Sequence, residues 1–217
     1  MHILGKDNSI FNQFIAEIRD ESIQKDRLRF RRNMERCGEI FAYEISKVLE
    51  YEDKTITTPL GEIEIPLRKE NPILATILRA GLPFHQGFLN YFDNSDNSFI
   101  SAYRKHDKSA GGFSIKVEYM SGPELDGKTI ILVDPMLATG ASIITVVKAL
   151  QNHGNPKHIH IVSLIASTEG IINIKKGLKK NNFTLWLGAV DTELTASSYI
   201  VPGLGDAGDL AYGPKQN

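Results

Sequence analysis

An α/β fold with a mainly parallel sheet flanked by helices is the fold class that this sequence predicts. The first observation is that, from Asn71 onward, short apolar runs rich in Ile and Val alternate with stretches of helical periodicity. Parallel strands need such helical crossovers, which then cover the faces of the sheet. The second observation is that the 217 residues contain no internal repeat and no linker-like tract. We therefore expect a single domain over 1–217.

The composition excludes several classes of function. Lys and Arg number 25 against 26 Asp and Glu, so no overall charge favours nucleic acid or an anionic membrane as a partner. No apolar run approaches the roughly 20 residues of a membrane span, and the first residues lack a signal-peptide pattern. The single cysteine, Cys37, forms no internal disulfide and lies in an apolar helical pattern, which predicts core packing. We expect a cytoplasmic protein.

The N-terminal part, residues 1–70, is expected to contain two helices and a hairpin. Amphipathic patterns predict helices at 9–19 and 22–49. The second helix has an Arg-rich exposed face, but acidic residues are interspersed, so a solvated or subunit-contacting surface is favoured over a nucleic-acid patch. The segments 55–58 and 62–65, separated by Pro59, Leu60 and Gly61, predict the hairpin.

The elements of the α/β core, residues 71–190, alternate along the chain. Strands are predicted at 73–78, 98–103, 114–119, 130–133, 159–165 and 183–190, and helices at 82–91, 143–150 and 169–178. The polar, glycine-containing segment 105–112 is either a mobile hairpin tip or a flexible lid that orders over a bound ligand and expels water.

The segment 129–142 joins a buried strand to a helix through a tight loop. Such a loop gathers backbone N–H groups, the positive end of a helix dipole and the hydroxyls of Thr139 and Ser142, which together suit a phosphate monoester. Asp134 lies at the carboxyl end of the strand, where open α/β sheets bind their ligands. An ordinary strand-to-helix turn is the alternative. A Walker A loop is excluded because its Gly and Lys pattern is absent.

Two arginines follow other predicted strands. Arg79 lies after the strand at 73–78, and its guanidinium offers a fork of donors that matches phosphate oxygens. Gly81 would let the backbone approach a ligand there. Arg104 ends the next strand and is followed by Lys105 and Lys108. Both arginines would supply local positive charge that the neutral chain lacks overall, although surface arginines after strands are the simpler alternative.

The C-terminal part, residues 191–217, is rich in glycine. Residues 203–208 match Gly-x-Gly-x-x-Gly, but a dinucleotide fingerprint needs a further βαβ half, and the sequence ends before one. Several glycines and Pro202 instead expose backbone N–H and C=O groups in a defined shape. A glycine-rich tail without a ligand is the alternative.

Three motifs together resemble the uracil phosphoribosyltransferase family over nearly the whole chain. They are Ile-Leu-Arg-Ala-Gly-Leu at 77–82, Val-Asp-Pro-Met-Leu-Ala-Thr-Gly at 133–140, and Ile-Val-Pro-Gly-Leu-Gly-Asp-Ala-Gly-Asp at 200–209, in the order and spacing of that family. The resemblance implies a type I phosphoribosyltransferase fold with a C-terminal hood for the base. It also implies the reaction of uracil with 5-phosphoribosyl 1-pyrophosphate (PRPP) to give UMP and diphosphate, with Mg²⁺ carried on PRPP and no direct metal ligand from the protein.

The same resemblance implies the site residues. Catalytic roles fall to Asp134, Arg104 and Asp206. The implied contacts to PRPP are Arg79, Arg104, Asp134, Pro135, Met136, Leu137, Ala138, Thr139, Gly140, Ala141, Ser142 and Asp206. The implied contacts to uracil are Ile200, Gly205, Asp206 and Ala207, whose backbone groups would read the carbonyl and N–H edge of the base. We expect the loop after residue 133 and the bend near residue 205 to face each other across one pocket.

Several alternatives stay open at this point. The base could be hypoxanthine or orotate, or the fold could serve a regulator that binds uridine nucleotides and RNA. The family suggests a homodimer or a higher homo-oligomer, with GTP as a possible effector. Among the remaining residues, His85 is expected to pack in the core, as is Trp186, and the pair His158 and His160 is expected to form a polar strand entrance rather than a metal site.

Overall fold

The computed structural model describes residues 1–107, 112–179 and 181–215, with the backbone alone for 103–107 and 112–115. Its strands are β1 (His2–Ile3), β2 (Tyr51–Thr58), β3 (Gly61–Arg68), β4 (Ile73–Leu78), β5 (Asn97–Asp107), β6 (Gly112–Ser121), β7 (Thr129–Val133), β8 (Met136–Leu137), β9 (His158–Ser167), β10 (Phe183–Asp191), β11 (Glu193–Leu194) and β12 (Ile200–Val201). Its α-helices are α1 (Ile10–Arg19), α2 (Arg27–Ser46), α3 (Gly81–Leu89), α4 (Ala141–Leu150), α5 (Thr168–Gly177) and α6 (Ala207–Tyr212). Short 3₁₀ turns occupy Leu4–Lys6 and Gln151–His153.

The main sheet confirms the predicted fold class. Its strand order is β1-β10-β9-β7-β4-β5-β6, and β8 also pairs with β9. Every pair is parallel except β5 with β6, which form an antiparallel hairpin at one edge. All the parallel strands therefore end at the same edge of the sheet, and their carboxyl ends form one platform for side chains. The tip of the β5–β6 hairpin, where the lid was predicted, lies outside the described residues.

Helices cover both faces of this sheet because its central strands are apolar on both sides. On one face, α1, α2 and α3 pack over Leu74 and Ile131. On the other face, α4 and α5 pack over Ala75 and Leu132, the next residues along the same strands. Two hydrophobic cores result, one on each side of the sheet.

The predicted core positions of Cys37, His85 and Trp186 are confirmed. Cys37 is fully buried on α2, and burial raises the pKa of its thiol far above the usual range. Trp186 and His85 are also buried, and burial lowers the pKa of His85 to about 4, partly offset by a hydrogen bond with Asn97. Histidine at this position is therefore neutral at physiological pH.

The second helix begins five residues later than predicted. Its N-cap is Asp26, whose carboxylate accepts hydrogen bonds from the backbone N–H groups of Leu28 and Arg29. Ser22, the predicted start, instead donates its N–H and its hydroxyl to the Asp20 carboxylate in the preceding turn. Hydrogen bonds to Asp20 thus hold Ser22 in a turn, and the helix begins after the N-cap Asp26.

The predicted hairpin is longer than expected and forms a separate two-stranded sheet, β2–β3. Residues paired across an antiparallel ladder share a face. One face therefore carries Ile56, Ile63, Ile65 and Leu67, the last three of which are exposed, and at its edge the ion pair of Glu52 with Lys54. The other face carries mainly polar and charged side chains together with Tyr51 and Pro66. We call the first the apolar hairpin face. No described helix is long and apolar enough to span a membrane.

Candidate active site

The loop after β7 and the C-terminal bend face each other across one cleft at the carboxyl edge of the sheet, as predicted. The cleft encloses about 730 Å³ of space, part of which is open solvent. Predicted site residues that line it are Asp134, Met136, Leu137, Ala138, Thr139, Gly140, Ser142, Ile200, Gly205, Asp206 and Ala207. Ala80, Ile143, Ser198, Tyr199 and Gly208 also line it.

The 134–142 loop is fixed to its neighbours along its length. The Pro135 carbonyl accepts the backbone N–H groups of Leu164 and Ile165, both at 3.1 Å. The carbonyl of Ala138 accepts the Ser167 hydroxyl at 2.5 Å, and that of Thr139 accepts the Asn173 amide at 3.1 Å. These three carbonyl groups are thus engaged by hydrogen bonds within the protein.

The loop ends at the N-terminus of α4. Gly140 is its N-cap at φ +79°, in the left-handed region that favours glycine, and offers no side-chain cap. The Thr139 hydroxyl accepts only a long hydrogen bond, 3.4 Å, from the N–H of Ala141. The first N–H groups of a helix have no partner within the helix, so those after Gly140 are available to an anion in the cleft. Pro135 and Ala141 themselves do not line the cleft.

The Asp134 carboxyl is the acid at the centre of the cleft. Its backbone N–H bonds to the Val162 carbonyl at 3.1 Å, and its Oδ1 accepts the Met136 N–H at 3.5 Å. Burial raises the pKa of this carboxyl from 3.8 to about 7, and the hydrogen bond from Met136 offsets only part of that effect. Near neutral pH, protonated and ionised forms of Asp134 therefore coexist.

The opposite wall of the cleft is the hood, residues 193–212. It consists of the small antiparallel pair β11–β12 followed by a turn and α6. The Asp206 carboxylate caps α6 by accepting the Asp209 N–H at 3.0 Å, and Lys215 lies 3.4 Å away. Burial favours the neutral acid, but the hydrogen bond from Asp209 and the charge of Lys215 outweigh it and lower the pKa of Asp206. Asp206 is therefore an anion at the rim and not a proton donor.

The two predicted arginines differ in what the structure shows. Arg79 follows β4, and its Nη2 lies 3.0 Å from Oδ1 of Asp209 on α6, with Nη1 3.4 Å from the Gly213 carbonyl. Its side chain is 41% exposed at the cleft rim next to Ala80. Arg104 lies in β5 opposite Ile115, and its side chain lies outside the described residues.

Gly81 allows close packing at the start of α3. A Cβ at this position would collide with the Thr76 hydroxyl and approach the Val133 carbonyl at 3.4 Å. Its small size therefore lets α3 begin tightly against β4 and β7. The approach of a ligand to its backbone stays a prediction.

Two residues that the sequence analysis missed hold the hood from behind. Arg19, at the end of α1, forms a bidentate ion pair with Asp191, at the end of β10, with N–O distances of 2.8 and 2.9 Å. Both also bond to the backbone of Gly203 in the hood. A signal for Asp191 was present, since it directly follows a predicted strand, as Asp134 does. Arg19 carries no such signal because its partner is 172 residues away.

The predicted histidine pair lies at the opposite, amino-terminal edge of the sheet. His160 Nδ1 accepts a hydrogen bond from Trp186 Nε1 at 3.1 Å, and His158 Nε2 lies 2.9 Å from the Thr184 hydroxyl. The ring of His2 stacks on Trp186. Throughout the described part of the chain, no cluster of three or more His, Cys, Asp or Glu side chains is suited to hold a metal ion.

The fold and the site together define a class of protein, the type I phosphoribosyltransferases. The structure is similar to a protein of Aquifex aeolicus, described as AQ2163, with a TM-score of 0.85 and 29% identity over 97% of this chain and 98% of that one. The fold is also shared with an orotate phosphoribosyltransferase of Mycobacterium tuberculosis, with a TM-score of 0.50 and 14% identity over 87% of this chain and 95% of that one.

Sequence comparison narrows the class to one family. The family model of uracil phosphoribosyltransferase matches residues 6–214. A uracil phosphoribosyltransferase of Porphyromonas gingivalis is 55% identical over 98% of this chain and 97% of its own length. One of Thermococcus kodakarensis is 35% identical over 96% of this chain and 89% of its own length. This chain belongs to the uracil phosphoribosyltransferase family.

Proposed function

We propose that this protein transfers the 5-phosphoribosyl group of PRPP to N1 of uracil and releases UMP and diphosphate. The observation that carries the proposal is the single cleft between the 134–142 loop and the hood, which offers an anion-binding helix terminus on one wall and exposed backbone on the other. A sugar phosphate and a nucleobase need these two kinds of surface on opposite sides. Membership of the family supports the same reaction.

The 5′-phosphate is assigned to the start of α4. The N–H groups after Gly140, together with the hydroxyls of Thr139 and Ser142, form a donor set with no side-chain carboxylate among its members. The helix dipole adds partial positive charge at the same point. A phosphate there would be bound without lysine, in agreement with the near-zero net charge of the chain.

Asp134 is assigned to the ribose hydroxyls. A carboxylate can accept hydrogen bonds from two hydroxyl groups, and these hydrogen bonds would favour its ionised form. Positive charge develops on the ribose ring as diphosphate leaves, so an anion below the ring stabilises the transition state more than the ground state. The proposed catalytic roles of Asp134, Arg104 and Asp206 remain predictions about chemistry that the bound complex would test.

The leaving diphosphate is assigned to Arg79 and Arg104. Arg79 lies at the cleft rim, and the chain beside it, Ala80, lines the cleft. We expect its guanidinium to exchange the Asp209 carboxylate for phosphate oxygens when PRPP binds. The acidic side chains among the described lining residues are Asp134 and Asp206. Mg²⁺ would be held mainly by oxygens of PRPP, where it would offset negative charge on the leaving group.

The base is assigned to the hood. Gly205, Asp206 and Ala207 line the cleft, and a glycine at φ +93° lets the backbone turn its polar groups towards a ligand. Apart from the reacting N1, uracil presents two carbonyl acceptors and the N3–H donor, and cytosine reverses the pattern at two positions. At about 1 to 3 kcal/mol for each unsatisfied buried group, cytosine would be disfavoured by roughly 2 to 6 kcal/mol.

The direct experiment measures UMP formation from uracil, PRPP and Mg²⁺, with cytosine, hypoxanthine and orotate as competing bases. We expect uracil to be the preferred acceptor and Asp134→Asn to lower kcat by at least about a hundredfold. Equal use of all four bases, or unchanged turnover in Asp134→Asn, would contradict the proposal.

We also propose that the protein is a homodimer or a higher homo-oligomer. The apolar hairpin face supports this, because Ile63, Ile65 and Leu67 are exposed on a two-stranded sheet that forms no ladder with the main sheet. Ile63→Lys should shift the mass measured by light scattering towards the monomer, whereas Thr55→Lys on the opposite face should not. GTP as an effector and a cytoplasmic location stay predictions.

A further inference from the structure

We propose that Arg19 and Asp191 are positioning residues that set the affinity for uracil by fixing the hood. This role rests on the proposed function, since it presupposes a base in the cleft. We call the two side chains together with the Gly203 peptide groups the hood clamp. Neither side chain lines the cleft, so their effect would reach the base only through the backbone.

The hood clamp joins three parts of the fold that are distant in sequence. Arg19 is the last residue of α1, Asp191 is the last residue of β10, and Gly203 lies in the hood. The Arg19–Asp191 pair is bidentate, and the Asp191 side chain is 8% exposed. The Arg19 side chain is 22% exposed, so the pair is partly buried. Bidentate arginine–carboxylate pairs fix direction as well as distance.

Both backbone polar groups of Gly203 enter the same network. Arg19 Nη1 donates to the Gly203 carbonyl at 2.9 Å, and the Gly203 N–H donates to Asp191 Oδ2 at 2.9 Å. Gly203 has φ +56°, and a Cβ there would collide with the Ile200 carbonyl. The turn is therefore held at its tightest point, immediately between Ile200 and the 205–207 segment, both of which line the cleft.

The phosphate half of the site is held by other contacts. The carbonyls of Ala138 and Thr139 are bound by Ser167 and Asn173. Ser167 pairs with Asp191 across β9 and β10, but that pairing is made by the backbone and does not involve the side chains of the hood clamp. Loosening the hood clamp should therefore move the base wall while it leaves the phosphate loop in place. The kinetic signature is a selective change in the KM for uracil.

The test uses Arg19→Lys, Arg19→Met and Asp191→Asn in the full chain. Because each hydrogen bond to the base edge that is lost when the hood shifts weakens binding by about tenfold to a hundredfold, we expect the KM for uracil to rise by that factor in Arg19→Met. The KM for PRPP and kcat should stay within about threefold. Asp191→Asn keeps an oxygen for the Gly203 N–H, so its KM for uracil should rise less.

Arg29→Met is the matched control. Arg29 forms a similar bidentate pair with Glu17, at 2.9 and 2.7 Å, but this pair joins α1 to α2 and has no bond to the hood. We expect Arg29→Met to lower the unfolding midpoint without changing the KM for uracil. For any variant that expresses poorly, a second readout is the increase in unfolding temperature of the folded fraction on addition of saturating uracil or of PRPP, each measured separately.

The outcomes separate the two proposals. If the unaltered protein makes no UMP from uracil, the proposed function fails. If it does, but Arg19→Met changes the KM for uracil no more than Arg29→Met does, the role of the hood clamp is refuted. Parallel increases in the KM for uracil and for PRPP would also refute it, because they indicate a general loosening of the fold.

Discussion

Replacing Asp134 by asparagine is expected to stabilise the fold above neutral pH while it removes activity. The folded carboxyl has a pKa of about 7, against 3.8 as its ordinary value, because the cleft desolvates it. Between those two pH values the folded state holds a proton that the unfolded state has lost. By linkage, this acid makes no net difference below about pH 4, and it costs stability as the pH rises towards 7.

The magnitude follows from the two pKa values. At about 1.4 kcal/mol for each pH unit, a change from 3.8 to about 7 corresponds to about 4 kcal/mol above pH 7 and to about 2 kcal/mol at pH 5. Asparagine has nearly the same shape and carries no charge. We therefore expect the free energy of unfolding of Asp134→Asn to exceed that of the unaltered protein by about 2 to 3 kcal/mol more at pH 8 than at pH 5, which means that the variant gains stability as the pH rises.

The assay is urea unfolding followed by circular dichroism at pH 5 and pH 8 for the unaltered protein and the variant. Taking the difference between the two proteins at each pH cancels the titration of all other groups. Asp93→Asn, a change of the same kind at an exposed position after α3, is the control. An advantage of Asp134→Asn that is equal at both pH values, or greater at pH 5, would refute the assignment of a raised pKa to Asp134.

Three further predictions concern PRPP. Because ribose hydroxyls favour the ionised carboxyl, the Kd for PRPP should fall about tenfold more between pH 6 and pH 8 in the unaltered protein than in Asp134→Asn, by isothermal calorimetry. Gly140→Ala should weaken PRPP binding, because φ at this position is +79° and the new Cβ would lie 3.1 Å from Ile174. Gly127→Ala is the control: φ is +68° and the space around it is open, so the backbone strain should be similar but the Kd for PRPP should stay unchanged. Asp209→Asn releases Arg79 from an exposed ion pair worth under about 1 kcal/mol, so the Kd should fall about two- to fivefold; a rise would show that the pair helps binding.

Much of the fold could be predicted from local sequence pattern, because each central strand is apolar on both faces and stands out as a continuous apolar run. The strand at 73–78 was predicted with its observed bounds, and the helix at 9–19 differs by one residue. Boundaries failed where a competing hydrogen bond decided the outcome, as at Ser22, whose hydroxyl is taken by Asp20. Such local competition is set by geometry that the residue types alone do not specify.

The site also had a part that local sequence could predict and a part that it could not. The 134–142 loop and the 205–207 bend were predictable because each is one continuous motif whose residue types suit its ligand. The ion pairs of Arg19 with Asp191 and of Arg79 with Asp209 were not, because their members are 172 and 130 residues apart. Only the folded sheet brings those partners to one edge.

The lone cysteine has a practical consequence for following the hood. Cys37 is fully buried on α2, and its raised pKa keeps the sulfur protonated and unreactive. A second thiol introduced in the hood, for example by Ser198→Cys, would therefore accept a maleimide dye selectively while the native residue stays in place. The fluorescence of such a dye would report the movement of one wall of the cleft as base and sugar phosphate enter.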